Sequence, residues 1–203
     1  MKSIDIQGTA RNGFGKKASK ELRKQNVIPC NLYGVEKDEK GLPVAKAFQV
    51  TTEAVRNLVY TPDIHSVNLT IDGQTVLAVM KEIQFHPVKD TIQHIDFYQI
   101  TESKPIVMAV PVKLTGLAAG VKAGGKLDQA MRRVKAKALY NIIPEKIEVD
   151  VTALTIGKTI KVGDLKVEGI EFVSPKQAVI CSVQSTRAAA AAEEAAAEAP
   201  AAE

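Results

Sequence analysis

Residues 67–85 read VNLTIDGQTVLAVMKEIQF, and their period of two decides the fold. Val67, Leu69 and Ile71 alternate with Asn68, Thr70 and Asp72, the pattern of a strand with one buried face. Asp72-Gly73 follows, a pair that tolerates the positive φ angles of a tight hairpin turn. The chain returns as QTVLAVMKEIQF, where alternation assigns Leu77, Val79, Ile83 and Phe85 to one face. Lys81 interrupts that face, either at a bulge or by snorkelling to water.

The same alternation spreads in both directions. Ile92–Phe97 reads as a strand with Ile95 and Phe97 inward and His94 and Asp96 on the opposite face. Ile4 and Ile6 alternate with Asp5 and Gln7. Two helices interrupt the strands: Lys16–Gln25, and Thr52–Tyr60 with a Thr cap, apolar Val55, Leu58 and Val59, and a stop before Pro62. The polar, turn-favouring run ITESKP at 100–105 marks a boundary. Beyond it VMAVPVKLTG, RRVKAKAL, KIEVDVTAL, KTIKV and QAVICSVQ again read as short strands. The expected architecture is mainly β, with one domain over 1–100, a second β domain over 101–184 and a tail over 185–203. A single long β domain is the alternative.

With 45% hydrophobic and 25% charged residues in 203, the chain has the make-up of a soluble globular protein. No apolar run reaches the ~20 residues that span a bilayer. The start, MKSIDIQGTARN, has no apolar export signal, so a cytoplasmic location and reduced thiols at Cys30 and Cys181 are expected. Residues 188–203, AAAAAEEAAAEAPAAE, carry no large apolar side chain and read as a disordered or fraying tail.

Catalytic and cofactor chemistry finds little support. Gly120–Lys126 reads GVKAGGK, the start of a phosphate-cradling loop, but Leu127 stands where the magnesium-binding hydroxyl belongs and a strand rather than a helix follows. His65, His86 and His94 are the only histidines and none lies near a cysteine, whereas a zinc site needs about four converging N, S or O ligands. Cys30 sits in an apolar stretch and reads as an inert buried thiol. No catalytic group, no metal, no cofactor and no small-molecule substrate are expected.

The charge pattern is more informative. Residues 1–28 hold seven lysines and arginines against Asp5 and Glu21, whereas the last twenty hold Arg187 against four glutamates. At about 100° per residue, Lys16, Lys17, Lys20, Arg23 and Lys24 share one arc of the first helix, with Ala18 and Leu22 opposite. Gly13 and Gly15 precede the helix, where bare backbone can approach a phosphate. A phosphate backbone and a simple solvated face both fit this pattern.

Taken in order, Arg11, GKKASKELR at 15–23, IPCNLYG at 28–34 and IQFHPVKDTIQHIDF at 83–97 resemble the bacterial large-subunit ribosomal protein twenty-five family. GVKAGGKLDQ at 120–129, IPEKIEVDVTAL at 143–154 and IGKTIKVGDL at 156–165 extend the resemblance to its two-domain form, also called general stress protein CTC. The resemblance implies an N-terminal six-stranded β-barrel with short helices that binds 5S rRNA in the central protuberance, a C-terminal β domain, and neighbouring ribosomal proteins as partners. The alternative is a free stress-related RNA-binding protein acting off the ribosome. A related barrel binds the anticodon in glutaminyl-tRNA synthetase, an analogy of fold alone.

Carried over position by position, the resemblance implies RNA contacts at Arg11, Lys16, Lys20, Arg23, Tyr33, Gln84, His86, Lys89, His94 and Asp96. The cations among them would meet phosphates. Family members often carry two adjacent basic residues in mid-helix, whereas Lys20 is followed here by Glu21. Tyr33 either contacts ribose or packs at the barrel edge. His94 and Asp96 either read polar groups of the RNA or form a structural pair. Gln84 and His86 either read base edges or, for His86, hold a turn. Arg132, Arg133, Lys135 and Lys137 in the second half read either as a contact to RNA or protein or as a solvated strand face.

Overall fold

A computed structural model describes residues 2–34, 44–101, 103–165 and 167–186, so the 188–203 tail lies outside the described residues. They divide into two compact units, one within 1–106 together with 139–145, the other within 107–138 together with 146–203.

In the first unit the elements run β1 (Lys2–Ala10), α1 (Lys16–Lys24), β2 (Val27–Tyr33), β3 (Lys46–Thr51), α2 (Thr52–Val59), β4 (His65–Ile71), β5 (Gln74–Phe85) and β6 (Ile92–Gln99). The six strands form a closed barrel in the order β1-β3-β2-β6-β5-β4. The β4–β5 hairpin turns on Asp72 and Gly73, with φ of 46° and 88°, as a tight primed turn requires. β1 runs parallel to β4 from Lys2 to Gly8 and closes antiparallel on β3 through Thr9–Gln49 and Ala10–Phe48. β2 lies parallel to β6. Closure leaves no long unpaired edge.

The interior is filled by Ile6, Ile28, Leu32, Phe48, Val67, Leu69, Ala78, Ile95 and Phe97, with Val55 and Leu58 of α2 packed against them. The Phe48 and Phe97 rings lie tilted at 5.7 Å between centroids. Gly8 is required there, because a Cβ would stand 2.8 Å from the Phe48 ring.

Strand β5 departs from the expected facing. Val76, Ala78 and Met80 pack on the barrel core, whereas Leu77 and Val79 belong to the opposite face. The pairing with β6 passes from Met80–Phe97 to Glu82–Asp96, so Lys81 is the extra residue of a bulge. The bulge switches the parity, and Ile83 takes the inward place. A second shift between Gln84 and Phe85 leaves Phe85 exposed. The expected Thr cap is also absent: Thr51 at the start of α2 makes no side-chain cap, and the Thr52 hydroxyl donates to the Asn26 carbonyl at 2.7 Å.

The second unit contains β7 (Ile106–Thr115), α3 (Ala119–Lys122), β8 (Lys126–Gln129), β9 (Arg133–Ala138), β10 (Ile147–Asp150), β11 (Thr159–Lys161), β12 (Glu171–Phe172) and β13 (Val179–Gln184). Two sheets result, β10-β7-β9-β12 and β11-β13-β8. Ala118, Val151, Leu154, Cys181 and Val183 form a buried cluster. The glycine-rich run at 120–126 is one helical turn followed by a strand. Its glycines serve packing, since a Cβ on Gly120 or Gly125 would meet the Val183 side chain at 2.9 or 2.7 Å.

Candidate nucleic-acid interface

Helix α1 is a charged ledge on the barrel. None of its residues is buried; Ala18, Ser19 and Leu22 are half-buried, and the lysines and arginine point away. Arg23 and Lys24 lie in the last turn, where the helix dipole favours cations, but Lys16 and Lys17 occupy the first turn, where it disfavours them. No carboxylate in that turn compensates. Gly15 starts the helix at φ 96°, ψ −178°, a conformation open to glycine alone.

The helix is tied to the sheet. The Arg23 Nε–H donates to the Gln93 carbonyl on β6 at 3.1 Å, which leaves the rest of an exposed guanidinium turned to solvent. Next to Gln93 begins the outer face of three adjacent strands. Register places Gln84 opposite His94, and Glu82 and Asn31 on either side of Asp96. Tyr98 and Tyr33 pair one step further along, their rings edge-on at 5.9 Å. Gln84, His94, Asp96 and Tyr33 thus share one continuous polar surface beside Arg23.

At the end of this surface, residues 86–91 join β5 to β6. His86 Nδ1 accepts the backbone N–H groups of Val88 and Lys89 at 3.2 and 3.3 Å. That bonding makes Nδ1 the unprotonated nitrogen and leaves Nε2–H as the ring's outward donor. His86 therefore holds the turn, and Lys89 is presented from it with an exposed side chain. His94 Nδ1 lies 3.3 Å from Asp96 Oδ1, both side chains half-buried, so these two form a pair along the strand face.

Arg11 is turned inward. Its Nη2 donates to the Gly13 carbonyl at 3.0 Å and the Ser19 hydroxyl at 3.3 Å, and its guanidinium lies 6.0 Å from the Phe14 ring centroid. It clamps the 11–15 loop to α1. Phe14, 73% exposed at the tip of that loop, was not singled out from the sequence, nor were Asn31, Glu82 and Tyr98. The signal for Phe14 was an aromatic between two glycines in a basic loop. The other three follow only from strand register.

Known proteins are similar to this chain in sequence. A sequence model described as the Ribosomal L25p family matches residues 6–97, and one described as the C-terminal domain of ribosomal protein TL5 matches 105–187. The large ribosomal subunit protein bL25 of Phocaeicola vulgatus is 63% identical over 189 residues, covering 93% of this chain and 96% of its own length. The chain belongs to the two-domain bL25 family. The bL25 proteins of Bacteroides thetaiotaomicron and Porphyromonas gingivalis are 56% and 53% identical, each over 93% of this chain and at least 95% of their own length. The bL25 family is structural rather than enzymatic. Cys30 is fully buried, and burial pushes its thiol up to about 12 from an ordinary 9.0, out of range for a nucleophile at neutral pH. The Tyr33 phenol is also raised, by burial first and then by the carboxylates of Asp96 and Glu82, so it stays an O–H donor. Among the described residues no three His, Cys, Asp or Glu side chains converge as metal ligands, and no helix is long and apolar enough to cross a membrane.

Proposed function

We propose that this chain is a structural constituent of the large ribosomal subunit and binds 5S rRNA, in the central protuberance, through the ledge and outer face of its barrel. The domain over 1–100 carries this contact; the 101–184 domain is a separate β module. The observation that carries the reading is the Arg23–Gln93 hydrogen bond, which sets a row of cations, without an ion pair among the described residues, directly beside the polar face of β2, β6 and β5.

The two surfaces divide the work. Lys16, Lys20, Arg23 and Lys89 meet phosphates and supply affinity. Tyr33 and Gln84 offer neutral groups to ribose 2′-hydroxyls and base edges across a wide RNA minor groove. Asp96, held by His94, accepts from base amino groups or 2′-hydroxyls, a role that phosphates cannot fill. His86 and Arg11 act by positioning, one fixing the turn that offers Lys89 and the other the loop that offers Phe14. The protein is then cytoplasmic and ribosome-associated, beside other ribosomal proteins.

Hydroxyl-radical footprinting of the full chain on 5S rRNA tests the proposal. A compact protected region, lost in a Lys16→Ala, Lys20→Ala, Arg23→Ala variant, is the expected result. Folded protein that leaves 5S rRNA unprotected at moderate salt overturns it.

A further inference from the structure

Most of the excess positive charge of this chain lies in its second unit. Residues 107–138 and 146–203 hold thirteen lysines and arginines against ten carboxylates, while 1–106 with 139–145 hold fourteen against thirteen. Within the second unit the charge is organised by strand β9. Val134, Ala136 and Ala138 face inward and are buried, so Arg133, Lys135 and Lys137 are exposed on one face, and Arg132 is exposed just before them.

Two of the carboxylates nearby are already engaged. Glu171 on the adjacent β12 takes Lys137 at 3.3 Å. Glu148 on β10 stands in register with Lys113 on β7, and β7 lies between it and β9. Asp150 accepts from the Thr152 backbone N–H at 2.8 Å and from its hydroxyl, bonds that hold its carboxyl below the usual range. Arg132, Arg133 and Lys135 are left with no ion pair among the described residues. The backbone beneath them is pinned. Arg132 accepts from the Val112 N–H at 2.9 Å, the Lys135 N–H donates to the Ser174 hydroxyl at 3.1 Å, and the Lys135 carbonyl accepts from Val173 at 2.9 Å.

From this we infer that the outer face of β9 is a second RNA-docking surface, with Arg133 and Lys135 meeting neighbouring phosphates of an RNA backbone and Arg132 exposed just before the strand adding charge at its entry. Side chains two apart on a strand are spaced by about 6.6 Å, a separation suited to neighbouring phosphates. Arginine adds a planar fork that binds phosphate oxygens in pairs. A protein partner fits this face less well, because protein interfaces centre on aromatic and apolar anchors and keep bare charge at the rim. The surface is separate from the barrel and does not depend on the reading of the barrel.

The test uses the full chain with the barrel ledge disabled by Lys16→Ala, Lys20→Ala and Arg23→Ala, titrated with a twenty-nucleotide oligouridylate over a range of salt. Binding should persist, and adding Arg133→Ala and Lys135→Ala should flatten the slope of log affinity against log salt by about 1.4, from roughly 0.7 per phosphate contact on single strands. Arg133→Lys, which keeps the charge, should keep the slope, and circular dichroism should show all variants folded. An unchanged slope in the β9 variant overturns the inference, as does polyglutamate competing equally well with the RNA. A barrel ledge that contributes nothing would instead appear as an unchanged slope in the first triple variant, so the two failures are distinguishable.

Discussion

Replacing Lys20 and Arg23 together with alanine is the sharpest test of the barrel ledge. Both side chains are exposed and neither supports the core, so the fold should survive. Alanine is the better helix former, which offsets part of what is lost. The one structural contact removed is the Arg23 hydrogen bond to Gln93, worth about 1 kcal/mol at most for an exposed pair. The electrostatic loss is larger and has a signature. Each phosphate contact to an RNA duplex contributes about 0.9 to the slope of log affinity against log salt, so two lost contacts lower it by about 1.8. Between 50 and 200 mM salt the parent protein should therefore lose about twelvefold more affinity for 5S rRNA than the double variant does. Filter binding across that range measures the slope directly. Arg23→Lys separates the two functions of the arginine: it keeps the charge and the slope while losing the Nε bond that aims it. A double variant with the parental slope refutes the phosphate role, whatever happens to its affinity at a single salt concentration.

Asp96→Asn should weaken binding to 5S rRNA while leaving the salt slope within experimental error, because an acceptor is lost and no counterion is exchanged; a flattened slope would contradict this. Phe97→Ala empties the centre of the barrel next to Phe48 and should cost about 3–5 kcal/mol in urea unfolding, far more than any exposed change on the same strand. Cys30 should resist iodoacetamide at pH 8 until the chain is unfolded. Because its folded value is raised to about 12 from 9.0, the unfolded chain loses this proton first, so stability is fully present below pH 9 and falls as pH rises towards 12. Cys30→Ala should make that decline shallower, as read by unfolding midpoints across the alkaline range.

Much of the architecture was legible because barrel strands alternate. Val67, Leu69, Ile95 and Phe97 face inward as their spacing demands, and Asp72-Gly73 makes the hairpin. The phase of β5 was not legible across Lys81: Leu77 and Val79, assigned to the face of Ile83, lie on the opposite one. One extra residue at Lys81 reverses every later side chain, and no local signal distinguishes a bulge from a buried stem. Which strands are neighbours was equally hidden: the parallel pairs β1–β4 and β2–β6 join segments more than sixty residues apart. Among the candidate site residues, sequence spacing gave the shared face of His94 and Asp96, yet their junction with Gln84, Asn31 and Tyr33 depends on register across three strands. The inward turn of Arg11 depends on a carbonyl and a hydroxyl supplied by the loop and helix that follow it. The β9 row was visible as alternating charge, but that Lys137 has a carboxylate partner while Arg133 and Lys135 have none among the described residues emerged only once the neighbouring carboxylates were placed.

The position of β6 between β2 and β5 also governs when this protein can be used during its own synthesis. The last strand made is the one that joins the two halves of the cylinder, so the barrel cannot close until residue 99 has emerged from the translating ribosome. Until then Phe48, Leu69 and Ile28 have no Phe97 or Ile95 to pack against, and their apolar surface lacks its native cover. A newly made copy thus becomes competent to join an assembling particle only after half of it has been translated, and a pause before that point would expose that surface to chaperones.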